Sequence, residues 1–135
     1  MIKKVAWVHT EDGKVVATRS FGKDRWYLPG GKPEGDEKPL DTLTREIMEE
    51  LSVAVDGTRA EYLGTFTAQA HGKPEGTVVR MTCFDAPFEG ELRPANEVCD
   101  VAWFSYDARA IVSDVDQIIF DFLYSKGLLD PGEHK

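Results

Sequence analysis

One stretch constrains this chain more than any other: residues 37–51, which read EKPLDTLTREIMEEL. Leu40, Leu43, Ile47 and Leu51 recur at intervals of three and four, the period of a helix with one narrow apolar stripe. Glu37 stands at its start, and Pro39 suits the first turn, where a missing N–H costs nothing. Such a stripe has to be buried against another layer of secondary structure, so the flanking residues must supply that layer.

They read mostly as strands. Val5 to Val8 and Val15 to Ser20 are two short strands, joined by a turn at Glu11-Asp12-Gly13. Trp26-Tyr27-Leu28 is a brief extended piece stopped by Pro29-Gly30-Gly31, and residues 32–36 form a loop. Tyr62 to Ala70 and Thr77 to Ala86 are strands around the loop 71–76, and Val101 to Tyr106 is another. Ile111 to Leu123 reads as a second helix, with Ile111, Val115, Ile118, Ile119 and Phe122 on its apolar side. Strands on both sides of one strong helix, with a second helix closing the chain, predict an α/β (α+β) fold in which a mixed sheet lies between helices. At 135 residues, residues 1–135 are expected to make a single domain.

The first helix carries a second pattern. Glu46, Glu49 and Glu50 stand at i, i+3 and i+4, beside the apolar stripe, near the edge of the core. Left alone this is unfavourable. The like-charge pair Glu46/Glu50 costs roughly 0.2–0.5 kcal/mol in an isolated helix, and acids in the last turn oppose the helix dipole by roughly 0.3–1 kcal/mol. Arg45 reaches Glu49 in the weaker orientation, and one arginine does not neutralise three acids. A divalent cation reverses the balance, and hard carboxylate oxygens suit Mg²⁺, with Mn²⁺ as a substitute. A solvated acidic face is the other reading of the helix by itself.

Overall charge points the same way. With 16 Lys and Arg against 24 Asp and Glu, the net charge is −8, which argues against a nucleic-acid partner but not against a phosphate ester bridged to the protein by a cation. Cys83 and Cys99 are too few for a disulfide scaffold and are expected to be reduced thiols in a cytosolic protein. No signal peptide or membrane span is legible, which predicts a cytoplasmic location without a membrane partner. His9, His71 and His134 are isolated and lack metal-ligand spacing.

The helix also sits in a longer pattern. Gly31, five residues, Glu37, seven residues, then Arg45-Glu46-Ile47-Met48-Glu49-Glu50-Leu51-Ser52-Val53 resembles the signature of the Nudix hydrolase family. The lead-in Trp26-Tyr27-Leu28-Pro29-Gly30-Gly31 is similar to that family too. One fixed position departs: Ser52 stands where the family has glycine, a site that often ends the helix in a left-handed conformation, at a cost to serine of roughly 1 kcal/mol.

The resemblance implies a Nudix-type α/β/α sandwich and Mg²⁺-dependent hydrolysis of a nucleoside diphosphate linked to another moiety. It implies Glu46, Glu49 and Glu50 as metal-binding carboxylates, and a backbone contribution from Gly31. Arg45 would orient a glutamate, and Glu37 would support the loop–helix junction. The general base is left open between Glu46 and Glu97; the latter, in the loop 91–97, is also a candidate metal ligand, with a solvated loop acid as its plain alternative. Arg19 and Arg80 are candidate substrate contacts, or else ordinary surface charges. Trp26, Trp103 and Phe104 are expected in the core. The leading substrate is a nucleoside triphosphate, ordinary or oxidised (8-oxo-dGTP included), cut to a monophosphate and pyrophosphate. The alternatives are a nucleoside diphosphate sugar, a dinucleoside polyphosphate, or a non-catalytic module that senses a nucleotide. A homodimer is left open.

Overall fold

The computed structural model describes residues 1–132; His134 lies outside them. Nine strands and two α-helices follow in the order β1 (Ile2–Trp7), β2 (Thr10–Glu11), β3 (Lys14–Ser20), β4 (Gly30–Gly31), α1 (Pro39–Leu51), β5 (Ala54–Val55), β6 (Glu61–Gln69), β7 (Val78–Asp85), β8 (Phe88–Glu89), β9 (Val98–Phe104) and α2 (Asp114–Ser125). One sheet runs β4-β1-β7-β6, a second runs β2-β3-β9, and β5 pairs with β8. The first sheet is mixed: β1 is parallel to β7 and antiparallel to β4.

The run Val5-Ala6-Trp7-Val8 explains the layering. Val5 and Trp7 join Val16, Leu43, Ile47 and Leu51 in a core beneath α1, whereas Ala6 and Val8 join Val15, Ile119, Phe120 and Leu123 in a core beneath α2. A strand buried on both faces reads as a continuous apolar run instead of an alternating one. Trp7 is fully buried, and its indole N–H donates to the Ala86 carbonyl at 3.0 Å. The architecture is the expected one, a mixed sheet layer between helices.

Three local expectations are corrected. The turn at Asp12-Gly13 exists, with φ of 52° and 78°, but the strand folded back on Lys14–Val15 is Thr10–Glu11, not Val5–Val8. Residues 5–8 are too apolar for a hairpin arm and take the centre of the other sheet. The strand expected from Val101 starts at Val98, because β3 offers pairing as far as Ser20. Helix α2 begins at Asp114, after a 3-10 turn over Tyr106–Ile111. Ile111 and Ile118 are 45% and 40% exposed, while Val115, Ile119, Phe120 and Leu123 are buried. At ~100° per residue, the buried Ile119, Leu123 and Phe120 fall within ~140° to one side of Val115, whereas Ile118 falls ~60° to the other side and leaves the core-facing stripe.

Candidate active site

Helix α1 starts at Pro39 and ends at Ser52, whose φ of 64° is the left-handed conformation usually given to glycine. The serine is held there from both sides: its N–H donates to the Met48 carbonyl at 3.1 Å and its Oγ donates to the Arg93 carbonyl at 3.2 Å. Between these ends the glutamates separate. Leu43, Ile47 and Leu51 face the core, and Glu50, ~20° from Leu43 around the axis, is drawn in with them at 6% exposure. Glu46 lies at the edge of the stripe with a side chain 15% exposed, and Glu49 lies outside it at 51%.

Glu46 and Glu50 face the short strand β4. Gly30 pairs with Ala6 and Gly31 with Val5, and the Gly30 N–H donates to Glu50 Oε1 at 3.3 Å. Gly30 has φ of 151°, and a Cβ there would fall on the Val5 carbonyl; a Cβ on Gly31 would overlap the Glu46 carboxyl group. Only bare main chain lets strand and carboxylates approach this closely. Burial first, and the Glu46 charge second, push the Glu50 carboxyl up to about 9.

Arg45 ties the approach loop to the helix. Its guanidinium donates to Glu37 (2.9 and 3.0 Å), to Glu46 Oε1 (2.7 Å) and to the Lys32 carbonyl (3.1 Å), with Glu34 at 3.1 Å and Glu49 at 3.8 Å. The bonds from Arg45 and from the Thr42 hydroxyl hold Glu37 down at about 2. Glu37 therefore works at the loop–helix junction.

The loop 91–97 is fixed by the end of the same helix. The last carbonyls of a helix have no partner within it, and here Arg93 N–H donates to Leu51 (2.9 Å), Ala95 N–H to Glu50 (3.0 Å) and Asn96 Nδ2 to Glu49 (2.7 Å). Asn96 itself has φ of 55°. Capping α1 in this way brings Glu97 to a cavity of about 390 Å³ that Glu46, Glu50, Gly30 and Gly31 also line.

Other residues of that cavity were not legible in the sequence. Lys4, Lys23, Lys32 and Lys73 bring four cations to it, and Tyr27, Leu28, Val79 and Met81 supply aromatic and apolar wall. Behind Leu28 and Ser113 lies Asp116, fully buried; its Oδ2 accepts from the Leu28 N–H (3.2 Å) and the Ser113 hydroxyl (2.7 Å), and its Oδ1 has no partner among the described residues. Burial pushes this carboxyl up to about 7. No local pattern marks Lys4 or Asp116 for a role, because each owes its place to strands and helix meeting in space.

The structure does not bring Arg19, Arg80 or Glu49 into the cavity lining. Arg19 is bonded to Asp100 at 2.6 Å and lies over Trp26. Arg80 alternates with Val79 and Met81 on β7, so its exposed side chain leaves from the opposite face. His71 lines the cavity and meets Asp24 at 3.0 Å, whereas His9 lies between Asp85 and Glu11, at 2.7 Å from each. No group of three acidic, histidine or cysteine side chains is already gathered at ion-binding distance among the described residues. Nevertheless a divalent cation fits the donor set: Glu46 and Glu50 are pressed together against the glycine strand β4, and Glu97 opens onto the same space.

Comparison with known proteins agrees with this geometry. A family model, the NUDIX domain, matches residues 4–122. The CTP pyrophosphohydrolase of Escherichia coli K12 is 32% identical over 110 residues, which cover 78% of this chain and 76% of that protein. A MutT-like protein of Streptomyces ambofaciens is 31% identical over 97 residues; the match covers 72% of this chain but only 58% of that protein's length. The solution structure of the E. coli ORF135 protein has a TM-score of 0.75 at 26% identity and covers 98% of this chain and 95% of its own. The MutT NUDIX hydrolase of Burkholderia pseudomallei shares the fold, with a TM-score of 0.72 at 23% identity over 90% of this chain and 97% of its own. Fold and site together define a hydrolase of phosphoric anhydrides built around an acidic helix. The chain belongs to the Nudix hydrolase family.

Proposed function

We propose that this protein hydrolyses a nucleoside triphosphate to a nucleoside monophosphate and pyrophosphate, with Mg²⁺ held by Glu46, Glu50 and Glu97. The observation that carries this reading is the convergence of these three carboxylates and four lysines on one cavity. Acids alone would repel a polyphosphate, and lysines alone would bind it without activating water. A bound Mg²⁺ supplies charge neutralisation and an acidified water.

The chain's own residues divide the remaining work. Gly30 and Gly31 let the main chain approach the carboxylates, and Arg45 holds the Glu46 carboxylate at 2.7 Å. Glu97 has no side-chain hydrogen bond among the described residues, so one oxygen would serve the cation and the other would take the proton of an attacking water, which makes it the general base in this reading. Lys23, Lys32 and Lys73 are exposed side chains on loops at the cavity and neutralise the phosphates. The relative named for CTP supports a nucleoside triphosphate over the sugar and dinucleotide alternatives. No helix of the described residues is long and apolar enough to cross a membrane, and the −8 charge suits a small substrate better than a nucleic acid.

The test is a panel of nucleoside triphosphates, nucleoside diphosphate sugars and dinucleoside polyphosphates with Mg²⁺, followed by chromatography. Monophosphate and pyrophosphate from a triphosphate are expected. Diphosphate and orthophosphate as primary products, or no triphosphate turnover, would refute the reading.

A further inference from the structure

Among the four lysines of the cavity, Lys4 differs from the others. Lys23, Lys32 and Lys73 are exposed on loops, whereas Lys4 is half-buried on β1. In register it lies beside Met81 of β7, and it shares the strand face of Ala6 and Val8 that turns toward α2. Ala6 is opposite Gly30 and Val5 opposite Gly31, so Lys4 is the next residue of β1 past the glycine pair that meets the glutamates, with its side chain on the Ala6 face. The residues paired around it are apolar: Ile2 and Val79 one step before, Met81 alongside. These walls suit a flat ring better than a phosphate.

Burial lowers the Lys4 ammonium below the usual lysine value, against the opposing fields of Asp116 and Glu50, and no hydrogen bond to it contributes. An ammonium carries three donors and no acceptor. Half-buried and without a partner among the described residues, it is costly until a ligand brings an acceptor. The buried Asp116, when ionised, opposes that lowering.

We propose that Lys4 reads the base: its ammonium donates to a ring carbonyl, so that the protein prefers the keto bases guanine and uracil over adenine and cytosine. Adenine and cytosine present an amino group where guanine and uracil present that carbonyl. Opposite a lysine the amino group leaves two donors facing each other, both desolvated and neither satisfied. The inference rests on the nucleotide reading above and adds to it the position that separates one base from another.

The experiment compares kcat/KM for GTP against ATP and for UTP against CTP in the parent, Lys4→Met and Lys4→Gln. In parallel, calorimetry measures binding of GMP and AMP, which needs no turnover. The parent is expected to favour the keto member of each pair by about tenfold or more, the discrimination typical of one well-placed base contact. Lys4→Met should lose that preference mainly through the keto substrates. Lys4→Gln can donate or accept, so it should bring both members of a pair to similar rates; it also serves if the methionine variant does not fold. Equal use of both members by the parent overturns the inference, as does a uniform loss across all four nucleotides, which would place Lys4 on the phosphates. If the parent cleaves none of the four, the hydrolytic reading fails by itself, and the GMP/AMP binding ratio still decides the role of Lys4.

Discussion

Glu50→Gln should move stability and activity in opposite directions. Glu50 is 6% exposed, and burial together with Glu46 holds its carboxyl at about 9, against 4.5 for an ordinary glutamate. Without metal, folding at pH 7 must therefore return a proton to a group that is ionised in the unfolded chain. At 1.36 kcal/mol per pH unit, the gap from 4.5 to 7 costs about 3 kcal/mol. Glutamine removes that cost, keeps an oxygen for the Gly30 N–H and offers an amide donor to Glu46. In chelator the variant should be more stable than the parent by roughly 1–3 kcal/mol at pH 7, a rise of several degrees in Tm for a chain of this size. The sign follows from linkage. A carboxyl whose folded value is raised binds its proton more tightly when folded, so parent stability is fullest below about 4.5 and falls as pH climbs toward about 9. The advantage of the variant should accordingly vanish near pH 4 and widen up to pH 9. With Mg²⁺ and substrate the same variant should lose more than ~100-fold in kcat, since removing charge stabilisation at a reacting centre costs on the order of 3 kcal/mol or more. Urea denaturation in chelator at several pH values, beside turnover assays, reads both effects. A variant less stable than the parent at pH 7–9, or a difference flat in pH, would refute the burial argument; near-normal turnover would refute the site.

Three further outcomes are expected. Mg²⁺ added at constant ionic strength should raise the Tm of the parent by ligand linkage and that of Glu50→Gln much less, with Glu49→Gln closer to the parent because its side chain lies outside the cavity lining; three coincident melting curves would remove the metal from this helix. Gly31→Ala should fold but lose most of its kcat, because the added Cβ overlaps the Glu46 carboxyl group; parent-like kinetics would show that the close approach is dispensable. Asp116→Asn should flatten the fall in stability between pH 4 and pH 7, the window in which the buried carboxyl, raised to about 7, keeps a proton that the unfolded chain has released; equal slopes in the two proteins would exclude it as the titrating group.

What the sequence determined by itself is what local periodicity controls. The stripe Leu43, Ile47 and Leu51 dictates helix α1 and the face it buries, and Glu46 and Glu50 then fall beside that face by the ~100° step between residues. Gly30-Gly31 before the helix marks main chain without side chains, though not a turn, since it pairs with β1 as strand β4, and Ser52 marks the helix end even in place of glycine. The same step shows why the three acids are not buried alike, since Glu49 is rotated ~100° from Glu50. The rest was decided in three dimensions. Glu97 reaches the cavity because unpaired carbonyls at the end of α1 hold its loop, and those bonds join residues more than 40 apart in sequence. Lys4 faces the cavity because β1 is central and buried on both faces, which hides the alternation that assigns a side chain to one of them. Asp116 looks like a surface acid in its own helix and becomes a buried one only when α2 closes over Leu28. Arg19 and Arg80 were candidates by chain position, but pairing with Asp100 and the parity of β7 send them elsewhere. Local spacing controls which residues share an element; which elements share a cavity depends on packing between layers, and no short-range pattern encodes that.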